Sequence, residues 1–589
     1  MRAISNSNYT PVSVMRERAE HEPDVTAYTL YNNASGPSFT VTFGALDARA
    51  RALAAVLQQR PLRGERALHI YPPSPENIAA FFGCLYAGVL PVPCLSPSPF
   101  KRERAVSRLR HIVADCQPRL VLTERVLESE VRKGCAGLDV EIIVTDVLAP
   151  DGDAFRPITI DRQDSAYIQY TSGSTGAPKG VLLSHANLVA QCEHLRSFSS
   201  AGGVHLTCSP LSHDLGLVSG IVGPPVVGAH SVLLSPISVL KSPLSWLRVI
   251  SREKVTHSGA QNYLYELCAS RYDEQQCRDL DLQSWERAYN GSEVVRAKTL
   301  ELFTGCFARH GFRANAHSPA YGLAEATLQV SGYPAGKEAT VLALDRKELA
   351  LGRVVERSAD HPAAKQVVGC GLVLPGRRIA IVDPQTRRAV APGNTGEIWV
   401  QGGDVALGYW GRPEESECMF RARRADADDG TYLRTGDLGF VRGDELFFAA
   451  RLKDLIVLWG INFNPDDVER TAEAASPWVR AGNVVAFSTF EHDHEDLVLV
   501  AEVRDGRYAA GELEEHALTI AHAIYKEFYA PVTGFFFVRP GSLPKTTSGK
   551  IQRSLCRKQL LNGELPIVGR ATHQHIVAAW DRLNRAQPN

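Results

Sequence analysis

The sequence has almost no net charge. Of its 589 residues, 64 are Lys or Arg and 65 are Asp or Glu, so the formal net charge is −1. A chain drawn as a whole to a polyanion needs a basic excess, so nucleic acid is excluded as a bulk partner. A hydrophobic fraction of 44% with 22% charged residues also excludes an intrinsically disordered chain.

A disulfide framework and a signal peptide are both lacking. The 12 cysteines are scattered, and no two of them form a Cys-x-x-Cys pair, which favours free thiols in a reducing compartment. Residues 1–18 (MRAISNSNYTPVSVMRER) have no apolar centre, so they do not resemble a secretion signal. We therefore expect a soluble, cytoplasmic protein.

One long stretch has no charged residue at all. Residues 215–240 contain no Asp, Glu, Lys or Arg, which is long enough to cross a bilayer. Pro224 and Pro225 interrupt the stretch, and paired prolines break a helix. We expect a buried helix and strand, or the wall of an apolar pocket, in preference to a membrane span.

The pattern of apolar residues predicts an α/β fold. The length exceeds what one hydrophobic core supports, so at least two domains are expected. In the first third, predicted helices alternate with predicted strands, which favours largely parallel sheets. The helices are expected at 44–59, 76–87 and 102–115, and the strands at 67–71, 119–123, 141–145 and 166–170.

The end of the chain has a different pattern. Strand-like runs at 483–487, 496–503 and 534–538 surround a helix expected near 512–528. This order is typical of a small α+β module. The boundary before it is expected near residues 451–454.

A loop of small residues gives the strongest indication of function. It follows the predicted strand 166–170 and consists of Thr171, Ser172, Gly173, Ser174, Thr175, Gly176, Ala177, Pro178 and Lys179. Backbone N–H groups of small residues converge readily on an anion, hydroxyls add donors, and Lys179 adds charge. The spacing is not GxxxxGK[ST], so a P-loop NTPase is not indicated. A phosphate-binding loop of another kind is predicted.

This loop resembles the phosphate-binding signature of the adenylate-forming superfamily, which includes acyl-CoA synthetases, peptide-synthetase adenylation domains and luciferases. Seven further segments resemble its motifs in the same order: 210–216 (PLSHDLG), 290–293 (NGSE), 321–327 (YGLAEAT), 396–399 (GEIW), 432–437 (YLRTGD), 451–454 (RLKD) and 544–553 (PKTTSGKIQR). Such enzymes join a carboxylate to ATP and release pyrophosphate.

The resemblance implies a domain plan. A large N-terminal domain, residues 1–452, is expected to combine βα sheets with a distorted β-barrel-like subdomain. A small, mobile α+β C-terminal domain is expected at 453–566, with its hinge at Lys453. Residues 567–589 are expected to form a tail that is helical, because Ile576, Trp580 and Leu583 have helical spacing.

The resemblance also assigns the catalytic residues. Lys550 is expected to reach the α-phosphate and the carboxylate oxygens as negative charge develops there. Glu325 resembles the carboxylate that binds Mg²⁺, a cation that prefers one or two carboxylates with phosphate oxygens and water. His213 is expected near the substrate carboxylate, where it positions or gates the acid, although a structural role is an open alternative.

The nucleotide site is implied by the same motifs. Tyr321 and Gly322 are expected beside adenine, with Asn290, Gly291 and Ser292 lining the same site. Asp437 is expected to accept hydrogen bonds from the ribose hydroxyls, and Arg451 to contact ribose or phosphate. The acyl group is expected in an apolar slot formed by residues 215–240 and 259–263.

Several features resemble the fatty acyl-AMP ligases within the superfamily. They are the segments 290–293 and 462–469 (NFNPDDVE), and a polar insertion at about 344–369 within the long stretch between Glu325 and Gly396. This branch passes the acyl group to the phosphopantetheine of an acyl carrier protein. A fatty acyl-CoA synthetase, an enzyme for amino or aryl acids and an inactive nucleotide-binding scaffold remain alternatives.

Overall fold

The computed structural model describes residues 9–95, 102–148, 154–171, 178–198, 202–458, 461–491, 494–504, 511–528, 530–546 and 550–572. Within these residues, no helix is both long and apolar enough to cross a bilayer.

The first part of the chain alternates strands and helices. Its strands are β1 Thr26–Tyr31, β2 Phe39–Thr42, β3 Arg66–Ile70, β4 Leu90–Cys94, β5 Leu120–Thr123, β6 Glu141–Val144, β7 Ser165–Thr171, β8 Lys179–Ser184, β9 Val204–Thr207 and β10 His230–Leu234. Its helices are α1 Pro11–His21, α2 Phe43–Gln58, α3 Pro75–Ala87, α4 Arg102–Cys116, α5 Arg125–Gly134, α6 His185–Phe198, α7 Asp214–Leu217 and α8 Gly223–Val227.

The middle of the chain continues the alternation and then becomes strand-rich. The helices are α9 Pro236–Lys241, α10 Leu244–Glu253, α11 Asn262–Ser270, α12 Glu274–Cys277, α13 Ala297–Phe307, α14 Arg346–Ala350 and α15 Pro413–Phe420. The strands are β11 His257–Ala260, β12 Arg287–Asn290, β13 His317–Pro319, β14 Tyr321–Gly322, β15 Gln329–Gly332, β16 Val341–Asp345, β17 Ala364–Val373, β18 Arg378–Val382, β19 Gly396–Gln401, β20 Gly408–Tyr409, β21 Leu433–Arg442 and β22 Glu445–Arg451.

The last part, which we call the C-terminal module (residues 456–572), has its own elements. Its strands are β23 Ile456–Leu458, β24 Ile461–Phe463, β25 Val479–Glu491, β26 His494–Val503, β27 Val532–Val538 and β28 Ile567–Thr572. Its helices are α16 Pro465–Ala475, α17 Glu512–Phe528 and α18 Arg553–Leu561.

Two sheets confirm the parallel α/β prediction. The larger has the order β13-β12-β11-β9-β10-β1-β2 and is parallel except for the β1–β2 pair. The smaller, β4-β3-β5-β6, is parallel throughout. Helices cover these sheets because strands buried on both faces need apolar neighbours on each side.

Helix α3 shows how local chemistry sets the bounds of these elements. The Ser74 hydroxyl accepts a hydrogen bond from the Asn77 N–H at 3.0 Å, and Pro75 occupies the first turn, where no backbone donor is lost. Gly88 ends the helix in the left-handed region, with φ of 68°. The expected helix at 76–87 is confirmed.

The uncharged stretch 215–240 is a set of buried elements, as expected. It contains most of α7, a π-helical segment at Val218–Val222, α8, β10 and most of α9. Val218, Val226 and Val232 have at most 2% of their surface exposed. The prolines fall at the start of α8, where a missing N–H is tolerated.

A large antiparallel sheet stands where a barrel-like subdomain was expected. Its order is β14-β15-β17-β22-β21-β19-β18, with β16 paired to β17. In the described part of the chain β14 and β18 are its unpaired ends, so this sheet is open and no barrel closes. A separate antiparallel group, β20-β8-β7, carries the predicted phosphate-binding loop between β7 and β8.

The C-terminal module is the expected α+β unit. Its sheet has the order β25-β26-β27-β28, and it packs around buried residues that include Leu499, Ile520 and Phe535. The tail prediction is wrong for residues 567–572, because they form β28, which pairs antiparallel with β27. The residues that suggested a helix, Ile576, Trp580 and Leu583, lie outside the described residues.

Residues of the expected insertion contact the C-terminal module. The Lys365 ammonium, on β17, lies 2.6 Å from a carboxylate oxygen of Asp467 on α16. Arg346, on α14, pairs with Glu527, and its guanidinium lies 5.4 Å from the ring centroid of Phe528. Charged contacts therefore join the insertion to the module.

Buried histidines make the stability of the fold depend on pH. Burial lowers the pKa of His69, His185 and His317 from 6.5 to about 4. Between these two values the unfolded chain binds more protons than the folded chain, so the free energy of unfolding should decrease as the pH falls from 6.5 towards 4. Thermal unfolding midpoints measured across this range should follow that direction.

A single substitution separates this effect from general acid sensitivity. His69→Gln removes one titrating group, so its midpoint should depend less steeply on pH than that of the parent. The exposed His21→Gln serves as the matched control and should keep the parent slope. Identical slopes for all three proteins would contradict the assignment.

Candidate active site

A cleft opens at the carboxyl ends of β11, β12 and β13. Its empty volume is about 580 Å³, and ligands of open α/β sheets bind at such strand ends. Its mostly apolar lining, which we call the apolar side, includes Leu195, Leu215, Ser219, Ala260, Tyr289 and Leu328. Its more polar lining, which we call the polar side, includes Asp214, Asn290, Gly291, Ser292, Tyr321 and Gly322.

Backbone crowding explains the two glycines in the polar side of the cleft. A Cβ atom on Gly291 would lie 2.7 Å from the Ala320 carbonyl oxygen, and one on Gly322 would lie 1.8 Å from that of Leu328. Ser292 adopts a positive φ of 66°, which is uncommon for a residue with a side chain. The expected adenine-site residues thus form one tightly packed wall.

Asp437 joins Tyr321 to Arg451. The Tyr321 hydroxyl donates to Asp437 Oδ2 at 2.9 Å, and Arg451 Nε donates to Oδ1 at 2.7 Å. The Asp437 carboxylate raises the pKa of Arg451, against the opposing effect of burial, so the arginine stays charged. The Tyr321 ring lies beside that of Phe448, with a centroid distance of 6.3 Å and an interplanar angle of 26°, which helps to orient it.

Lys550 enters this site from the C-terminal module. Burial lowers the pKa of its ammonium, the charge of Arg451 lowers it further, and the carboxylates of Glu293, Asp214 and Asp437 oppose both effects. Its backbone is held by Thr546, whose hydroxyl accepts from the Lys550 N–H at 3.0 Å. The structure therefore brings Lys550, Arg451 and Asp437 together.

His213 and Asp214 form a pair at the start of α7. His213 Nδ1 contacts the Asp214 carboxylate, which also accepts the Leu215 N–H at 2.6 Å. Burial alone would raise the pKa of Asp214, but His213, this N–H and the charge of Lys550 outweigh it and lower the pKa. Asp214 lines the cleft and His213 adjoins it, so the pair lies beside the apolar side and within reach of the charge of Lys550.

Glu325 lies across the site beside Tyr409. The Tyr409 hydroxyl donates to Glu325 Oε1 at 2.9 Å, and burial raises the pKa of the carboxyl group. Among the described residues no group of three or more His, Cys, Asp or Glu could enclose a metal ion. A lone carboxylate nevertheless fits Mg²⁺ bound together with phosphate oxygens and water.

The hairpin of β7 and β8 fixes the ends of the predicted phosphate loop. Thr171 pairs with Lys179 across the hairpin, so the two ends of the loop are adjacent. The Lys179 ammonium pairs with Glu415 and lies 5.1 Å from the ring centroid of Tyr409. Ser172, Gly173, Ser174, Thr175 and Gly176 lie outside the described residues.

Lys453 lies in a 3₁₀ turn at Leu452–Asp454, directly after β22. Burial and the neighbouring Arg451 lower the pKa of its ammonium, while the carboxylates of Asp454, Asp437 and Glu325 oppose them. The residue expected at the hinge therefore adjoins the site itself.

Sequence reasoning missed three residues of this site. Tyr409 touches Glu325 across 84 positions of chain, and Glu293 accepts the Tyr263 N–H at 2.6 Å. Tyr289 lines the apolar side of the cleft. Glu293 lay inside a recognised motif and Tyr289 directly before it, so both could have been proposed, whereas nothing near Tyr409 indicated a role.

Comparison with known proteins agrees with this geometry. Residues 15–410 match the AMP-binding enzymes, and the chain belongs to that family. The medium-chain-fatty-acid–[acyl-carrier-protein] ligase JamA of Moorena producens is 38% identical over 94% of this chain and 96% of its own length. The long-chain-fatty-acid–AMP ligase FadD26 of Mycobacterium tuberculosis is 33% identical over 92% of this chain and 96% of its own length.

A solved structure extends the similarity to the whole fold. The fatty acyl-adenylate ligase of Legionella pneumophila, in complex with acyl adenylate and pyrophosphate, is 35% identical and has a TM-score of 0.73. The match covers 96% of this chain and 98% of that chain. The resemblance to fatty acyl-AMP ligases is thereby confirmed.

Gly322→Ala tests the tight wall beside the expected adenine site. The new methyl group would overlap the Leu328 carbonyl oxygen, and accommodating it should cost about 1–3 kcal/mol. Because Gly322 adjoins the expected adenine site, the displacement should weaken nucleotide binding and raise the Kd for ATP roughly tenfold. Isothermal titration of the purified protein measures it.

Gly305→Ala is the matched control. A Cβ atom there meets nothing within 4 Å, and alanine is favoured over glycine within helix α13. ATP affinity should stay at the parent value. Unchanged affinity in both variants would contradict the placement of Gly322 at the nucleotide.

Proposed function

We propose that this protein activates a fatty acid with ATP, forming an acyl-adenylate and releasing pyrophosphate, and then passes the acyl group to the phosphopantetheine thiol of an acyl carrier protein. The observation that carries the proposal is the hydrogen bonding of Asp437 to both Arg451 and the cleft residue Tyr321, with Lys550 near enough for its charge to interact with Asp437 and Arg451. The cytoplasm is the proposed location, a choice that the free cysteines support.

The polar side of the cleft suits a nucleotide. Asp437 has carboxylate oxygens for the ribose hydroxyls, and Tyr321 presents a ring that Phe448 helps to orient. Asn290, Gly291 and Ser292 would line the adenine, with Gly322 beside them. Arg451 would contact ribose or phosphate while remaining paired with Asp437.

Electrostatics would supply most of the catalysis. The carboxylate of the acid and the α-phosphate are both anionic, so bringing them together needs positive charge already in place. Lys550 would provide it at the oxygens that gain charge, and His213 with Asp214 would position the acid. No side-chain nucleophile is needed, because the substrate carboxylate itself attacks.

Glu325 would hold Mg²⁺ together with phosphate oxygens. The bound cation would neutralise phosphate charge. Tyr409 orients the Glu325 carboxylate through its hydrogen bond, and the phosphate-binding loop that begins at Thr171 and ends at Lys179 would contact the triphosphate.

The domain plan would serve the second half-reaction. A mobile domain that begins at Lys453 and, because β28 belongs to its sheet, extends beyond the expected residue 566 to Thr572 would withdraw Lys550 after adenylation and admit the carrier protein. The contacts of Lys365 and Arg346 with the C-terminal module support a role for the insertion at about 344–369 in selecting a carrier protein over CoA as the acceptor. A fatty acyl-CoA synthetase is the second candidate.

Lys550→Ala tests the first half-reaction. Fatty-acid-dependent exchange of pyrophosphate into ATP should fall by ~10²–10³, the usual effect of removing one preorganised charged donor. Binding of ATP should change little, because most proposed contacts to the nucleotide come from residues before 452. Equal losses of binding and exchange would contradict the role.

Lys558→Ala is a suitable control for the same assay. Lys558 lies on α18 of the same module and is exposed, so its removal should leave exchange unchanged. A loss similar to that of Lys550→Ala would indicate a general effect of charge on the module.

A direct comparison of the two acceptors distinguishes the two candidate functions. The purified protein is supplied with ATP, Mg²⁺ and a fatty acid, and then with either CoA or a phosphopantetheinylated carrier protein. We expect acylated carrier protein by mass spectrometry and little acyl-CoA. Abundant acyl-CoA would establish the second candidate, and absence of exchange with every acid would leave only a binding function.

A further inference from the structure

A fully buried arginine lies behind the apolar side of the cleft. Arg287, on β12, has 0% of its surface exposed. Its Nη1 donates to the Tyr289 hydroxyl at 3.2 Å and to the Phe198 carbonyl oxygen at 3.4 Å, and its Nη2 donates to Ser318 Oγ at 3.2 Å. Its Nε finds no acceptor among the residues that the structure describes.

Among the described residues no Asp or Glu pairs with Arg287. Burial lowers the pKa of its guanidinium, and Tyr289 opposes that effect. The rings of Phe198 and Tyr289 each lie 4.6 Å from the guanidinium carbon, which offsets part of the desolvation. A buried charge is ordinarily paired with an opposite charge. Burying the Arg287 guanidinium without such a partner should therefore lower the stability of the fold.

Two neighbouring histidines do not supply that partner. His205 and His257 lie on the adjacent strands β9 and β11, with ring centroids 4.7 Å apart. Burial lowers the pKa of both, and the positive charge of Arg287 lowers each further, so they are neutral at physiological pH. In the described part of the chain His205 Nε2 also has no hydrogen-bond partner.

Tyr289 connects this buried charge to the cleft. Its side chain is half-buried and lines the apolar side of the cleft. Because its hydroxyl oxygen accepts from Arg287, the hydroxyl hydrogen is available for another acceptor, and none of the described residues provides one. Gly259 makes room for this placement, since a Cβ atom there would lie 2.2 Å from Tyr289 Cβ.

We propose that Tyr289, backed by Arg287, is a polar subsite that selects an acyl chain carrying a hydrogen-bond-accepting oxygen. This rests on the proposed function, because it assumes that the acyl group occupies the apolar side of the cleft. A purely hydrocarbon chain would cover the hydroxyl without pairing it, which penalises binding. A carboxylate is favoured over a hydroxyl or a carbonyl, because it would also balance the guanidinium charge.

Pyrophosphate exchange with matched acids tests the subsite. Saturated acids of graded length are compared with acids of equal length that carry a hydroxyl, keto or carboxyl group at successive positions. We expect at least one oxygenated acid to exceed its saturated counterpart about tenfold in kcat/KM, the effect of one hydrogen bond reinforced by charge. Equal or lower values for every oxygenated acid would overturn the inference.

Two variants identify the residues responsible. Tyr289→Phe keeps the ring and removes the hydroxyl, so the ratio of kcat/KM for the oxygenated acid over the saturated acid should fall towards one. Arg287→Met should reduce the same ratio if the protein folds. The control Tyr272→Phe removes a hydroxyl that contacts His310, outside the cleft, and should keep the parent ratio.

The outcomes separate this inference from the proposed function. Exchange with saturated acids and no gain from any oxygen would contradict the subsite alone. Absence of exchange with every acid would contradict the proposed function. A preference that survives Tyr289→Phe would show that another group recognises the oxygen, and it would overturn the assignment to Tyr289.

Discussion

The carboxylate of Asp437 holds the site together. It is almost fully buried, and it accepts hydrogen bonds from Tyr321 on one side and from Arg451 on the other. A buried carboxylate is stable only when its oxygens are paired, so the ring of Tyr321 and the charge of Arg451 are fixed by the same requirement. Lys550 therefore lies in a site where the charges of Asp437 and Arg451 are already held in position.

Much of this arrangement is local in sequence and could be predicted. Ser74, Pro75 and Gly88 mark the ends of α3 by capping chemistry alone. The predicted phosphate-binding loop is recognisable because small and hydroxyl residues suit an anion, and the PKTTSGK segment because it resembles a motif of the adenylate-forming superfamily. The pairing of Tyr409 with Glu325 could not be predicted, since 84 positions separate them and only the tertiary fold brings them together.

The wrong tail prediction, and the openness of the sheet found at the barrel-like subdomain, both depend on strand pairing. Residues 567–572 form β28 because β27 offers them an edge, and no local pattern in six residues reveals such an edge. Whether a sheet closes into a barrel likewise depends on the pairing of its two end strands, β14 and β18, which the order of motifs does not determine. That none of the described residues gives Arg287 a carboxylate partner likewise follows from its tertiary surroundings and not from its sequence neighbours.

The ion pairs between the insertion and the C-terminal module are partly exposed to water. The side chains of Lys365 and Asp467 are 19% and 23% exposed. Water can take the place of each partner as such a pair separates, so little free energy is lost on parting. Separating a hydrophobic interface would instead expose apolar surface to water, at a larger cost in free energy. Dissolved ions should accordingly weaken this junction, so the proposed rotation between half-reactions would depend on ionic strength.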